Sequence, residues 1–180
     1  VLLNRIPPLV QQAFLAAEDA NFYGHQGVDP VGIIRALVSN WSAGHKVQGG
    51  STITQQVVKY LLLTPEKSYR RKLQEIILAL RLERHLSKAE ILTLYLNQIY
   101  LGSGAYGVEA AAREYFGKQA EELSLAEAAM LAGLPPAPSR YSPLKNWERA
   151  KVRQRYVLER MIDERYVSYG QAMAAWQEPV

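Results

Sequence analysis

The chain contains no cysteine, only three histidines, and no apolar run long enough to cross a bilayer. Without cysteine there is no disulfide scaffold, no thiol nucleophile and no cysteine-held zinc. His25, His45 and His85 include no pair at metal-ligand spacing, so His25 is weakly placed as a ligand. His45 reads as a loop residue and His85 as a helix-end cation. The apolar stretch 57–63 is interrupted by Lys59 and falls far short of the roughly 18 residues a membrane span needs. No segment alternates as a strand does, and no repeat is present. There is no signal peptide and no initiating methionine, so the chain reads as a single domain, residues 1–180, excised from a longer membrane-anchored protein. None of these absences fixes a compartment.

What is present suits a globular enzyme. The 180 residues are 48% hydrophobic and 21% charged, enough for one core with at most a small satellite lobe, and too apolar for a disordered tail. The punctuation is helical. Asp29-Pro30 and Thr64-Pro65 read as N-caps followed by proline at the first helical position. Ser87-x-x-Glu90, Ser124-x-x-Glu127 and Ser168-x-x-Gln171 are capping boxes, and Gly117 and Gly133 stand where a left-handed residue ends a helix. Apolar residues recur at helical period in Val31, Ile34, Leu37, Trp41 and in Leu73, Ile76, Ile77, Leu80, the latter set predicted to be the buried side of its helix. These signals predict helices over 8–22, 30–42, 52–63, 66–85, 88–100, 107–116, 125–132, 147–164 and 169–177. The fold class is mainly α. Residues 134–143, with four prolines, are expected to form an extended strap that is not helical.

The net charge of +4 is concentrated in one place. Residues 59–72 hold five cations against Glu66 alone, so the other 166 residues are neutral in sum. Such a stretch suits an anionic partner, whether phosphate, pyrophosphate, nucleic acid or membrane, unless it is merely a solvated helix face.

Three constellations carry chemistry. Glu18 and Asp19 end an apolar helix, where the dipole and neighbours such as Phe14, Leu15 and Phe22 disfavour carboxylate charge. A raised pKa suits a general base or acid; an exposed helix end with Arg partners is the plainer alternative. Gly49-Gly50-Ser51-Thr52-Ile53-Thr54-Gln55-Gln56 exposes backbone N–H groups at a helix start, a plausible anion cradle, although it could be ordinary N-capping. Its spacing is not that of a Walker A loop. Arg71, Lys72 and Glu75 share one helix face, and a carboxylate among Lys59, Lys67, Arg71 and Lys72 makes most sense beside a diphosphate, with a metal between them as one option.

Taken in order, Glu18-Asp19-x-x-Phe22-x-x-His25-x-Gly27, the Gly49–Gln56 segment and Arg71-Lys72-x-x-Glu75 resemble the peptidoglycan glycosyltransferase family. That family comprises the glycosyltransferase domain of class A penicillin-binding proteins and the monofunctional murein polymerases. Tyr95–Gly102, Gly107–Ala111 and the run from Leu123 to Pro143 are similar to its later motifs, and the likeness covers roughly residues 12–170.

The resemblance implies a lysozyme-like, two-lobed helical fold, with a head, a membrane-leaning jaw and a cleft between them. It implies polymerisation of lipid II into β-1,4-linked glycan with inversion and release of undecaprenyl pyrophosphate. Glu18 would be the general base. Lys59, Lys67, Arg71, Lys72 and Glu75 would handle the donor pyrophosphate, with Glu75 acting directly or by holding a divalent metal, magnesium or manganese. No organic cofactor is implied. Ser51, Thr54 and Gln56 would line the cleft, and Asp19, Phe22 and His25 would shape the first motif. The implied partners are lipid II, the growing glycan, the bacterial membrane surface at its outer face, a fused transpeptidase domain and other cell-wall synthesis proteins, with no nucleic acid. Two rivals are a lysozyme-like glycosidase or lytic transglycosylase, to which the cationic stretch offers nothing, and a basic non-enzymatic module, which leaves Glu18 and Glu75 unexplained.

Overall fold

The computed structural model describes residues 1–43, 49–63 and 68–180. They divide into two compact units, the first made of Val1–Ala20 and Leu96–Val180, the second of Asn21–Tyr95. Among the described residues ten helices run in the order α1 (Pro8–Glu18), α2 (Pro30–Ala43), α3 (Ile53–Leu62), α4 (Tyr69–His85), α5 (Lys88–Gln98), α6 (Val108–Phe116), α7 (Leu125–Ala132), α8 (Pro138–Tyr141), α9 (Trp147–Asp163) and α10 (Tyr169–Gln177). Short 3-10 turns precede α1, follow it at Phe22–Gly24 and precede α7. Among the described residues the only bridge of β type is the isolated pair Tyr100 and Tyr106.

The first unit is built around α7. Its eight residues, LAEAAMLA, are apolar nearly all round, and every one from Ala126 to Ala132 is buried. A helix of that composition belongs at the centre of a core, and its alanines let α1 and α9 pack directly on it. Val10, Ala13, Phe14 and Ala17 of α1 meet it with Ala150, Val157, Leu158 and Met161 of α9. Buried Gln154 of α9 donates to the Ala126 carbonyl at 2.8 Å, satisfying a polar group inside this core.

The capping boxes at Ser124 and Ser168 form as the sequence reads, and Thr52 with Gln55 makes another. Ser87 and Glu90 exchange both bonds as well. Elsewhere the sequence reading needs correction. Helix α1 stops at Glu18 instead of running to 22, because the Phe22–Gly24 turn takes over. Helix α4 starts at Tyr69, capped by the Ser68 hydroxyl; the Thr64-Pro65 cap lies outside the described residues. The proline strap contains one helical turn, α8, which Pro138 opens because a first-turn residue needs no N–H partner. Gly133 is right-handed (φ −77°); it is small because a Cβ there would lie 3.0 Å from Cβ of Arg153.

The largest correction concerns α4 in the second unit. Leu73, Ile77 and Leu80 face outward, and the buried residues of the helix are Glu75 and Ala79. Periodicity finds an apolar stripe without telling which side meets the core. The outward set continues on α2, where Val31, Ile34, Val38 and Trp41 are exposed, Trp41 to 88%. Among the described residues no helix is long and apolar enough to cross a membrane.

Backbone approach fixes the turn between α5 and α6. Gly107 has φ +81°, donates its N–H to the Ile99 carbonyl, and leaves no room for a Cβ, which would sit 2.5 Å from the Asn97 carbonyl oxygen. Gly107→Ala is expected to cost about 2 kcal/mol or more through strain and clash together. A urea denaturation midpoint lowered at constant slope would show it; an unchanged midpoint would mean that the turn yields.

Candidate active site

In the first unit, α1 delivers Glu18 as its last helical residue. Phe14, Leu15, Ala16 and Ala17 are buried behind it, Glu18 itself is half-buried, and Asp19 is buried. The Asp19 N–H closes the helix on the Leu15 carbonyl at 2.9 Å. Tyr156 of α9 belongs to the same surroundings. Burial pushes its hydroxyl above the usual tyrosine range, Arg153 and Arg160 oppose that shift, and the charges of Glu18 and Asp163 add to it. Arg153 lies 4.4 Å from the centre of the Tyr156 ring. No spacing rule could have joined Tyr156 to Glu18, since they stand 138 positions apart.

In the second unit the glycine-led segment and α4 meet through side chains. The Lys72 ammonium donates to the Ser51 hydroxyl at 3.0 Å and to Oε1 of Glu75 at 2.5 Å. Glu75 is only 2% exposed, whereas the Lys72 side chain is 44% exposed. A carboxylate taken this far from water stays charged only beside a cation. The lysine thus turns one side toward a buried anion and keeps the other open to solvent. Arg71, one residue earlier, is half-buried, and its Nε is buried with no hydrogen-bond partner. Lys59 is exposed near the end of α3. Lys67 lies outside the described residues.

Other predicted site residues make contacts of their own within the fold. Thr54 is fully buried and its hydroxyl donates to Oε1 of Glu83 at 2.6 Å, while Lys88 donates to the same oxygen at 2.7 Å. Phe22 is fully buried under the Lys88 ammonium, 4.4 Å from the ring centre, and its edge meets His25 at 6.1 Å. His25 accepts the Gly27 N–H at Nδ1 (3.1 Å). Gln56 is half-buried in the first turns of α3. Thr52, the N-cap of α3, also donates its hydroxyl to the Gly27 carbonyl at 2.6 Å. The glycine-led segment is therefore N-cap and cation partner together. Glu83 and Lys88 were missed, because an acid and a lysine five apart across a helix break look like ordinary surface charge.

Comparison with known proteins decides the family. The model of the family described as "Transglycosylase" matches residues 1–162. The chain belongs to that family. It is 54% identical over 180 residues to "Penicillin-binding protein 1A" of Aquifex aeolicus, covering 100% of this chain and 25% of that protein. It is 53% identical over 171 residues to the Escherichia coli protein of the same name, covering 95% and 20%. The crystal structure of penicillin-binding protein 1A from Haemophilus influenzae superposes with a TM-score of 0.60 at 32% identity, across 100% of this chain and 17% of that one. The chain thus spans a quarter or less of the length of these relatives. It is a transglycosylase domain of the class A penicillin-binding protein type, mainly α and lysozyme-like.

The geometry separates residues that hold this transglycosylase domain from residues open to a ligand. Thr54→Val is expected to cost about 1 kcal/mol by removing one buried hydrogen bond. Lys72→Met, which strands buried Glu75, is expected to cost at least as much. Chemical denaturation of the two variants would measure both losses, and a Lys72→Met protein as stable as the parent would show that Glu75 has another partner.

Proposed function

We propose that the chain polymerises lipid II, with Glu18 as general base and the Lys72–Glu75–Ser51 cluster at the donor pyrophosphate. The observation that carries this reading is the lysine held on a buried carboxylate with its outer side open, next to an arginine whose Nε is unpartnered. A pyrophosphate supplies what such a cluster lacks. In the reaction, the Glu18 carboxylate takes the proton from the acceptor's 4-hydroxyl. The freed oxygen bonds to the anomeric carbon of the donor, and the bond from that carbon to the pyrophosphate oxygen breaks with inversion. Negative charge grows on the leaving group as the bond lengthens, so Lys59, Lys67, Arg71 and Lys72 favour the transition state over the ground state.

A divalent ion fits here only in a limited way. Among the described residues no three His, Cys, Asp or Glu side chains gather as a cage, and Oε1 of Glu75 is already shared with Lys72. Magnesium or manganese would take Glu75 as one ligand, with pyrophosphate oxygens and water completing the shell, and would neutralise leaving-group charge.

The substrate's lipid stays in the bilayer, so the domain works at the outer face of the bacterial cytoplasmic membrane. The outward apolar residues of α2 and α4, together with Leu61 and Leu62 of α3, support contact with that surface. The whole protein is proposed to carry a transpeptidase domain and to act beside other cell-wall synthesis proteins.

Incubation with labelled lipid II tests the reading. Glu18→Gln is expected to keep the fold and lower turnover at least about a hundredfold; most of the activity surviving would sink the base assignment. Arg71→Ala and Lys72→Ala should also depress polymerisation strongly, and parent-like rates would move the pyrophosphate site elsewhere. A chelator that slows the parent but not Glu75→Gln would place a metal on Glu75. Vesicle co-sedimentation is expected to retain the domain, less so after Trp41→Ser with Leu73→Ser, and a domain wholly in the supernatant with lipid II present would count against membrane contact.

A further inference from the structure

A polar cavity of about 450 Å³ lies wholly inside the second unit. Its volume falls within the roughly 300–1,000 Å³ of small-ligand sites. It is lined by the segment from Tyr23 to Gln26, the end of α4 and the first residue of α5. Along α4, Glu83 follows Glu75 by eight residues, about 12 Å of helix, so this cavity is a separate place from the Lys72 cluster.

Its charges do not cancel. Glu83 is committed, its Oε1 accepting from both Thr54 and Lys88. Lys88 is committed in turn to Glu83 and to the Phe22 ring. Arg84 is exposed, lines the cavity and forms no ion pair with a described residue. That leaves one guanidinium fork in surplus. The same lining holds Gln26, Gly24, whose N–H is already bonded to the Asn21 carbonyl at 2.8 Å, and the exposed Tyr23. A fork prefers a planar carboxylate held by two hydrogen bonds. A side-chain amide and a backbone carbonyl are partners a peptide link uses. A phosphate would gather several cations, as the Lys72 cluster does, and here only one is available.

We infer that this cavity binds a carboxylate of a short acidic peptide through Arg84, with Gln26 and Gly24 reading the adjoining amide. The lipid-linked sugar of the proposed reaction carries such a peptide, so the ligand's identity rests on that reading. The subsite would hold the peptide while the sugars react, and would raise affinity for substrates whose peptide keeps its acid groups.

Binding tests this without turnover. The isotope-labelled chain is titrated by NMR with a γ-glutamyl tripeptide bearing free carboxylates, with the same tripeptide fully amidated, and with acetate. Saturable shifts at Gly24, Gln26 and Arg84 are expected with the acid tripeptide, and at least about tenfold weaker binding of the other two, the scale of one charge-assisted hydrogen bond. Arg84→Gln, a surface change expected to leave the melting temperature unaltered, should weaken the acid tripeptide about tenfold as well. Equal binding of acid and amidated peptide, parent-like affinity in Arg84→Gln, or shifts confined to other residues would each overturn the inference. A chain that binds the acid tripeptide but does not polymerise lipid II would sink the proposed reaction alone. A polymerising chain that fails to bind it would sink the subsite alone.

Discussion

The second unit depends on two backbones touching. Gly27, at φ +96°, lies so near α4 that a Cβ would stand 2.8 Å from the Ala79 carbonyl oxygen. With no side chain on one partner and a methyl on the other, the segment after α1 is pressed onto the middle of α4. The Thr52 hydroxyl then fastens the start of α3 to the Gly27 carbonyl. Ser51, one residue earlier, thereby comes within reach of Lys72. One turn to either side of Ala79 a carboxylate turns inward, Glu75 toward one end and Glu83 toward the other, each met by a lysine. The same packing contact thus sets up both the proposed donor site and the polar cavity beyond it.

How much of this was legible in the sequence depends on the range of the interaction. Caps and helix spacings act within four residues, so the boxes at Thr52, Ser124 and Ser168 and the Lys72–Glu75 pair could be read directly. Glu18 at the close of an apolar helix was local as well. Contacts that join distant segments had no such signature. Neither the Thr54–Glu83–Lys88 network nor the Tyr156 environment beside Glu18 could be inferred from spacing. The resemblance put Thr54 at the cleft, and its hydroxyl donates to Glu83. The orientation of α4 failed for a different reason. Binary patterning assumes that apolar residues turn away from water, and on α4 Leu73, Ile77 and Leu80 are exposed.

The two units solve burial differently. The first hides an almost entirely apolar short helix under α1 and α9, using alanines so that helix axes can come close and one buried glutamine to tie α9 to α7. The second has a thinner core and leaves several large side chains of α2 and α4 in contact with solvent. Residues removed from water contribute to folding in any medium, whereas the outward residues contribute only where something apolar covers them. The stability of the second unit is therefore a property of its surroundings as much as of its own contacts.

The division of the chain also governs the order in which it can fold. The first unit is assembled from the opening 20 residues and from everything after Tyr95, with the whole second unit inserted between. As the chain leaves the ribosome, α1 emerges with an apolar face that lacks its cover, because α7 and α9 are synthesised more than a hundred residues later. The inserted unit is contiguous, so its own pairings need no such wait, and the discontinuous unit must bear the larger loop-closure cost. During synthesis α1, with Glu18 at its end, thus waits for the whole inserted unit before its native neighbours are made.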